Sequence, residues 1–334
     1  MSNIKTAIVC MASNENIYIR DFVKWHTIIG FDKIFIIDNS PVNGEHPDFI
    51  LSDYINSGKV QIIPMYKNSN KNPQFLQMIV YTVMYEIYHE QFDWMFFIDV
   101  DEFLMFTEKS GTHNVNEYLN NDYLNEAEQI RFNWQCYGDN GQLYYDNQPV
   151  WKRFPKPMSD IKKFDWCGPY PVNCTLKTAV RCTAKYANFV ITKSPHWCLT
   201  DTKENAVVVS PSGIKRPYNK SVNFIDYRIA FLAHYRTLTI SEYLHRRLDW
   251  TSLGNPTGTI HSKEIFLKQF CVENEMTPEK QKIWDEYIAR VEREHPGIFE
   301  GDNLKTMSPS SDEDFQNIVK DVREAILETK VWEH

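Results

Sequence analysis

Several things are scarce in this chain of 334 residues, and each scarcity excludes a class of protein. No apolar run approaches the roughly 18 residues that cross a bilayer, so nothing reads as a membrane span. Basic residues are not in surplus: 36 Lys and Arg stand against 44 Asp and Glu, a net charge of −8. That balance argues against bulk nucleic-acid binding, which needs a basic face. The 7 cysteines form no C-x-x-C pair, which argues against a zinc cluster. Cys10, Cys136 and Cys198 lie beside apolar or aromatic residues, as reduced core thiols do, and indicate a reducing compartment. The opening Met-Ser-Asn-Ile-Lys leads straight into strand-like sequence and lacks the apolar region of a signal peptide. The expectation is a soluble cytoplasmic protein, with peripheral docking to the inner face of a membrane left open. The sequons at Asn173 and Asn219 then read as chance.

What is present is a large apolar fraction, 43%, enough for a sizeable core, and 14% aromatics that could serve as core or as stacking platforms for sugars and bases. The most informative stretch is Trp94-Met-Phe-Phe-Ile-Asp99-Val-Asp101-Glu102-Phe103-Leu104. A strand-type apolar run stops at two aspartates one residue apart. Carboxylates at a buried strand end are costly unless a cation neutralises them. A divalent metal holding a diphosphate does this, because hard Mg²⁺ or Mn²⁺ takes carboxylate and phosphate oxygens together. A lone D-x-D is short, and two solvated loop acids would look the same.

The surrounding pattern gives the pair a context. Thr6–Met11, Lys33–Asp38, Val60–Pro64 and Trp94–Asp99 read as strands. Between them lie three helical patterns. The first is capped by Ser13 or Asn14, faces inward with Tyr18, Phe22, Trp25 and Ile29, and is stopped by Gly30. A short one spans Pro47–Ser57, and a long one Pro73–His89. Strands separated by helices predict an α/β fold, a mostly parallel sheet flanked by helices. Ligands bind such sheets at the carboxyl ends of strands, where Ser13-Asn14-Glu15, Asp38-Asn39-Ser40 and Asp99/Asp101 should gather. The stretch from 129 to 236 is less regular. Gln129–Trp134, Ala187–Thr192, Val207–Val209 and Ile229–His234 are strand candidates there. Beyond Thr239-x-x-Glu242, a capping box, the pattern is helical over Ile265–Val272, Pro278–Glu292 and Ser311–Val331.

The motif series resembles the GT-A fold of nucleotide-sugar glycosyltransferases, and in particular family 92 and related family-2-like enzymes. The residues that carry the resemblance are Ala12-Ser-Asn-Glu15, Trp25-His26, Gly30, Ile37-Asp38-Asn39-Ser40, Gln77, Asp93-Trp94 and Phe97-Ile-Asp99-Val-Asp101-Glu102-Phe103. Phe132-x-Trp134-x-x-Tyr137-Gly138-x-x-Gly141 and Ala233-His234-Tyr235 follow in the same order. The resemblance covers about residues 5 to 250. It implies a GT-A domain over 1–250, with a nucleotide-sugar-binding half at 1–128 and an acceptor-side half at 129–250. Residues 251–334 then form a C-terminal helical extension that could mediate an oligomer.

The resemblance also implies roles. Asp99 and Asp101 match the metal and diphosphate motif, Asp101 as direct ligand and Asp99 facing ribose or the metal through water. Asp38 matches a nucleotide contact, and Ala12, Asn14 and Glu15 should line the base pocket. Gln77 is a donor-site candidate. His234 matches a histidine that completes a metal site, with His196 as its competitor. Asp38 could instead begin an Asx-turn with Asn39-Ser40, and Trp25 and His26 fit packing better than catalysis. Lys177, Arg181 and Arg153 are candidates for neutralising a diphosphate or an anionic acceptor. Inverting transfer needs a carboxylate base; Asp139 is the first candidate, Glu102 and Asp201 the alternatives.

The function implied is a Mn²⁺- or Mg²⁺-dependent transferase. It would move a hexose from a nucleotide sugar, with UDP favoured by resemblance, to a hydroxyl of a carbohydrate or glycolipid acceptor, as in surface-polysaccharide synthesis. A haloacid dehalogenase-type phosphohydrolase would carry its Asp-x-Asp after an early strand, followed by Gly or Thr, not by Glu-Phe about one hundred residues in. A nucleotidyltransferase would want a glycine-rich loop where Val9-Cys-Met-Ala-Ser-Asn14 has none. A non-catalytic sugar-binding protein of the same fold need not retain both aspartates.

Overall fold

In the computed structural model, the described residues are 4–66, 73–158, 172–183, 190–194, 196–200, 206–216, 224–246, 263–297, 299 and 311–330. Four parallel strands come first, β1 (Thr6–Ala12), β2 (Lys33–Asp38), β3 (Val60–Pro64) and β4 (Trp94–Phe97), with helices α1 (Asn16–Ile28), α2 (Ser52–Asn56) and α3 (Pro73–Tyr88) between them. β5 (Glu102–Phe106), α4 (Val115–Leu119), β6 (Gln129–Cys136), α5 (Val150–Arg153) and β7 (Leu176–Arg181) follow. Next come the hairpin β8 (Val190–Ser194) and β9 (Trp197–Thr200), then β10 (Val208–Val209) and β11 (Ala230–His234). Helices α6 (Ile240–Leu244), α7 (Lys263–Cys271), α8 (Pro278–Glu294) and α9 (Asp312–Lys330) end the chain.

One nine-stranded sheet runs β3-β2-β1-β4-β7-β6-β11-β5, with β10 pairing β6. Five of its pairings are parallel; β4 with β7, β7 with β6 and β11 with β5 are antiparallel. It is therefore a mixed α/β fold with a mostly parallel sheet. The first strands are apolar on both faces because both faces are covered. Ile8, Cys10, Trp94 and Phe96 face a cluster built with Tyr18, Ile19, Phe22 and Val23 of α1. Ala7, Val9, Met95 and Phe97 face Leu76, Val80, Val83 and Met84 of α3, and Ile318, Val322 and Ile326 of α9 join that side. Burying each of those three aliphatic side chains contributes about 1.5–3 kcal/mol, which is what holds the last helix to the sheet. Ile240, Tyr243 and Leu244 of α6 share a third cluster with Phe266 and Phe270 of α7 and Trp284 and Ile288 of α8.

Trp25 and His26 do structural work. Trp25 Nε1 donates to the Leu104 carbonyl at 2.8 Å, and His26 Nε2 accepts the Leu104 N–H at 3.2 Å. α1 thereby satisfies both backbone groups of Leu104 on edge strand β5, which would otherwise be open to another strand. Gly30 ends the helix at φ +99°, and a Cβ there would lie 2.5 Å from Asn114 Nδ2.

The structure differs from expectation in four places. β4 stops at Phe97, so Ile98 and Asp99 belong to the turn leading to β5. Pro47–Leu51 turns first and only Ser52–Asn56 is helical. Neither Ser13 nor Asn14 caps α1: Glu15 occupies the cap position without a side-chain bond, and Asn14 is left-handed at φ +53°. Strands β5, β7 and β9 were not expected, because each is short and mixes polar or charged with apolar residues.

Candidate active site

The turn between β4 and β5 gathers the acidic residues. Asp99 is partly open, with its side chain 31% exposed. It accepts hydrogen bonds from Gln77 Nε2 and Lys177 Nζ, both at 2.7 Å. Its N–H donates to Glu102 Oε2 at 2.9 Å. Lys177 is fully buried and lies 3.8 Å from Glu102 as well. Burial pushes the Glu102 carboxyl well up, against the Lys177 charge. Burial would lower Lys177, but Asp99 and Glu102 beside it raise it.

Asp101 points the other way. β11 reaches the turn through the Tyr235 N–H, which donates to the Asp101 carbonyl at 2.9 Å. That register brings His234 Nε2 to 3.4 Å from Asp101 Oδ1. The Trp134 ring packs on the His234 imidazole, 4.1 Å between centroids. Arg246, just past α6, donates from Nη2 to Asp101 Oδ2 at 2.9 Å and to Glu15 Oε1 at 2.8 Å. Burial would raise the Asp101 carboxyl, yet Arg246 and His234 hold it well below the usual carboxylate range. Glu15 is raised: burial outweighs the same Arg246, and Asp101 lies near.

Asp101, Glu102 and His234 are the group among the described residues able to hold a metal ion, with one donor atom of each within 4.8 Å of the others. Two carboxylates and an imidazole suit Mn²⁺ or Mg²⁺. Glu102 Oε1 and His234 Nδ1 are buried without hydrogen-bond partners. Buried polar atoms left open in this way have capacity to spare for a ligand.

The loops after β1 and β2 are built differently. Asp38 is fully buried and closed on both oxygens: Oδ1 accepts the Ser40 N–H at 2.9 Å and Oδ2 meets His46 Nδ1 at 2.7 Å. This is the Asx-turn arrangement. Ala12 pairs with Asp38 in the sheet. Asn14 ties the loops together, its N–H donating to Ser40 Oγ at 3.1 Å and its Oδ1 accepting the Glu45 N–H at 2.7 Å. Asn14 Nδ2 and Asn39 Oδ1 remain buried and unpartnered, one donor and one acceptor.

The remaining candidates scatter. Arg181 is separated from Lys177 because β7 runs antiparallel to β4. It sits opposite Trp94, donates to the carbonyls of Ala127 and Leu124, and stacks over the Trp94 ring. Arg153 forms a buried two-bond pair with Glu242 at 2.8 Å. Asp139 lies beneath α8, 2.5 Å from Lys280, and accepts the Gly141 N–H at 2.9 Å. His196 packs 5.3 Å from the Trp134 ring, and burial together with the Lys177 charge pushes it down to about 3. It is outside the metal-capable group. Asp201 and Asn219 lie outside the described residues. Arg246 was missed, since His-Arg-Arg after a short apolar helix looks like a solvated basic end.

The sequence model of glycosyltransferase family 92 matches residues 5–285. The chain belongs to glycosyltransferase family 92. Transferase activity follows from that membership. The match runs past residue 250 and takes in α7 and part of α8. No curated protein matches the chain. Among solved structures it is similar to S. aureus TarS 1–349, at 10% identity and a TM-score of 0.33, covering 99% of this chain and 93% of that one. The same protein in complex with UDP matches at 10% identity and 0.34, over 99% and 93% of the two chains. Its complex with UDP-GlcNAc matches at 11% identity and 0.33, over 97% and 92%. Among the described residues no helix is long and apolar enough to cross a membrane.

Proposed function

We propose that this glycosyltransferase moves a hexose from a UDP-sugar to a hydroxyl of a carbohydrate acceptor, probing its donor with a divalent cation held by Asp101, Glu102 and His234. The observation that carries the proposal is this acid–acid–imidazole group, with two of its buried polar atoms unpartnered. The cation, when bound, would neutralise charge on the departing nucleoside diphosphate. Asp99 remains to orient the ribose or a metal-bound water, held by Gln77 and Lys177. Lys177 sets a positive charge against Asp99 and Glu102, 2.7 and 3.8 Å away.

Asn14 Nδ2 and Asn39 Oδ1 leave one buried amide donor and one carbonyl acceptor for a base, and UDP is favoured through the resemblance. A uracil edge presents a carbonyl oxygen and an N–H side by side, which one free amide donor and one free carbonyl acceptor complement. Asp38 shapes this pocket through its turn, with the Ser40 N–H on one oxygen and His46 on the other. Inverting transfer also needs a base for the acceptor hydroxyl. Asp139 is paired with Lys280, and Glu102 serves the cation in this reading.

Calorimetric titration with UDP and GDP, each in Mn²⁺ and in EDTA, tests the proposal. The expected result is UDP binding that disappears in EDTA, with GDP much weaker. Equal binding in EDTA would remove the metal, and GDP preference would remove the uracil assignment.

A further inference from the structure

Arg246 stands where no cofactor chemistry assigns it. One nitrogen, Nη2, serves two acids at once, Glu15 at 2.8 Å and Asp101 at 2.9 Å. The guanidinium is fixed on other sides too: Nη1 donates to the Arg236 carbonyl at 3.1 Å, and the Tyr18 ring lies 5.4 Å from its central carbon. Its two acids differ in what they would keep if it left. Glu15 retains the Tyr18 hydroxyl at 2.8 Å. Asp101 retains only His234, itself a member of the metal-capable group.

We propose that Arg246 is an exchangeable counter-ion: it holds Asp101 while the metal is absent, and passes to the donor's diphosphate when a divalent cation takes Asp101. The inference rests on the metal-dependent donor reading above. A dication at Asp101, Glu102 and His234 would sit within a few ångströms of the guanidinium and repel it. Glu15, the Tyr18 ring and the Arg236 carbonyl tether the side chain, so it stays at the site and does not withdraw to solvent. Its planar fork then has donors free for phosphate oxygens, which it binds in a two-bond geometry that lysine lacks. The consequence is coupling. Metal alone must displace an internal cation and binds weakly, whereas metal and diphosphate together give every charge a partner. A nucleoside monophosphate, with one phosphate fewer to reach Arg246, should profit less.

The test measures Mn²⁺ binding without nucleotide, by electron paramagnetic resonance of free Mn²⁺, on the full chain. Arg246→Gln should bind Mn²⁺ about tenfold tighter than wild type, yet bind UDP in saturating Mn²⁺ about tenfold more weakly, a coupling of the usual allosteric size. Arg246→Lys should fall between on both measures, and carries the test if the glutamine variant does not fold. A residue that only props the site open would weaken both affinities in the variant, and that result overturns the proposal. Unchanged Mn²⁺ affinity also overturns it. If Asp101→Ala abolishes Mn²⁺ binding while Arg246→Gln leaves it unchanged, the exchange fails and the metal reading stands. If neither wild type nor Arg246→Gln binds Mn²⁺, both fall together.

Discussion

The two ends of the site satisfy their acids by different means. On the β1 and β2 loops, Asp38 takes a backbone N–H two residues on and His46 eight residues on, with the Tyr66 hydroxyl also bonded to it. Asn14 Nδ2 and Asn39 Oδ1, an amide donor and a carbonyl acceptor, stay open there. At the β4–β5 turn, Asp99, Asp101 and Glu102 depend on Lys177, His234 and Arg246, which the chain delivers from 75 or more residues away. What stays open there is a carboxylate oxygen and an imidazole nitrogen. A buried acid closed by its own turn is architecture. A buried acid compensated by imported cations, with capacity left over, is a place where another cation can enter. The neutral end suits a base and the charged end a diphosphate with its metal.

The most damaging test of this contrast is Asp101→Ala. Metal-dependent UDP binding should fall by about 100-fold or more, beyond the 10–100-fold typical of a lost supporting residue. The melting temperature should change little, because Arg246 keeps Glu15 and His234 keeps the Trp134 ring. Calorimetry and a thermal melt of the same sample separate the two effects. Retained affinity would place the metal elsewhere.

Asp139→Asn should do the reverse. The amide keeps the bond to the Gly141 N–H but leaves Lys280, 2% exposed, without its carboxylate. Removing one partner of a buried ion pair costs about 3 kcal/mol or more, read from urea unfolding. Nucleotide affinity should stay at the wild-type value. A loss of turnover with no loss of stability would return Asp139 to the reaction as its base.

The sheet was legible because its first four strands alternate with helices and are apolar on both faces, a pattern that survives in one dimension. The Asp99/Asp101 pair and His234 were legible as strand-end residues. Spacing alone put Asp99 and Asp101 on equal terms, and it was the resemblance that set Asp101 forward as the direct ligand; the turn after Phe97 sends Asp99 to Lys177 and Gln77 and sends Asp101 to His234 and Arg246. Lys177 and Arg181, four residues apart, looked like one basic cluster, but a strand places them at opposite ends of β4. Arg246 and Lys280 could not be found at all, because what they do depends on contacts made across 145 and 141 residues, and nothing local announces such partners.

The smallest effect sharpens the neutral end of the comparison. Burial would lower the His46 imidazole, but its bonds to Asp38 and the Val42 carbonyl raise it above 6.5 in the folded chain. A raised pKa means the folded state binds the proton more tightly than the unfolded state. The pair therefore stabilises the protein fully below about pH 6.5, the unfolded histidine value, and the contribution fades as pH rises through the folded value. Asp38→Asn keeps an acceptor for the Ser40 N–H and removes the charge. It should lower stability by about 1 kcal/mol or less at pH 5.5, given a half-open partner, and by still less at pH 8. Urea unfolding of wild type and variant at the two pH values reads the difference. Were the Asp38→Asn loss the same at both, the carboxylate would be acting through the turn alone, and His46 would have no part in closing it. Were nucleotide affinity to fall with it while stability held, Asp38 would belong with Asp101 among the acids that meet the donor, and the contrast between the two ends would fail at its first residue.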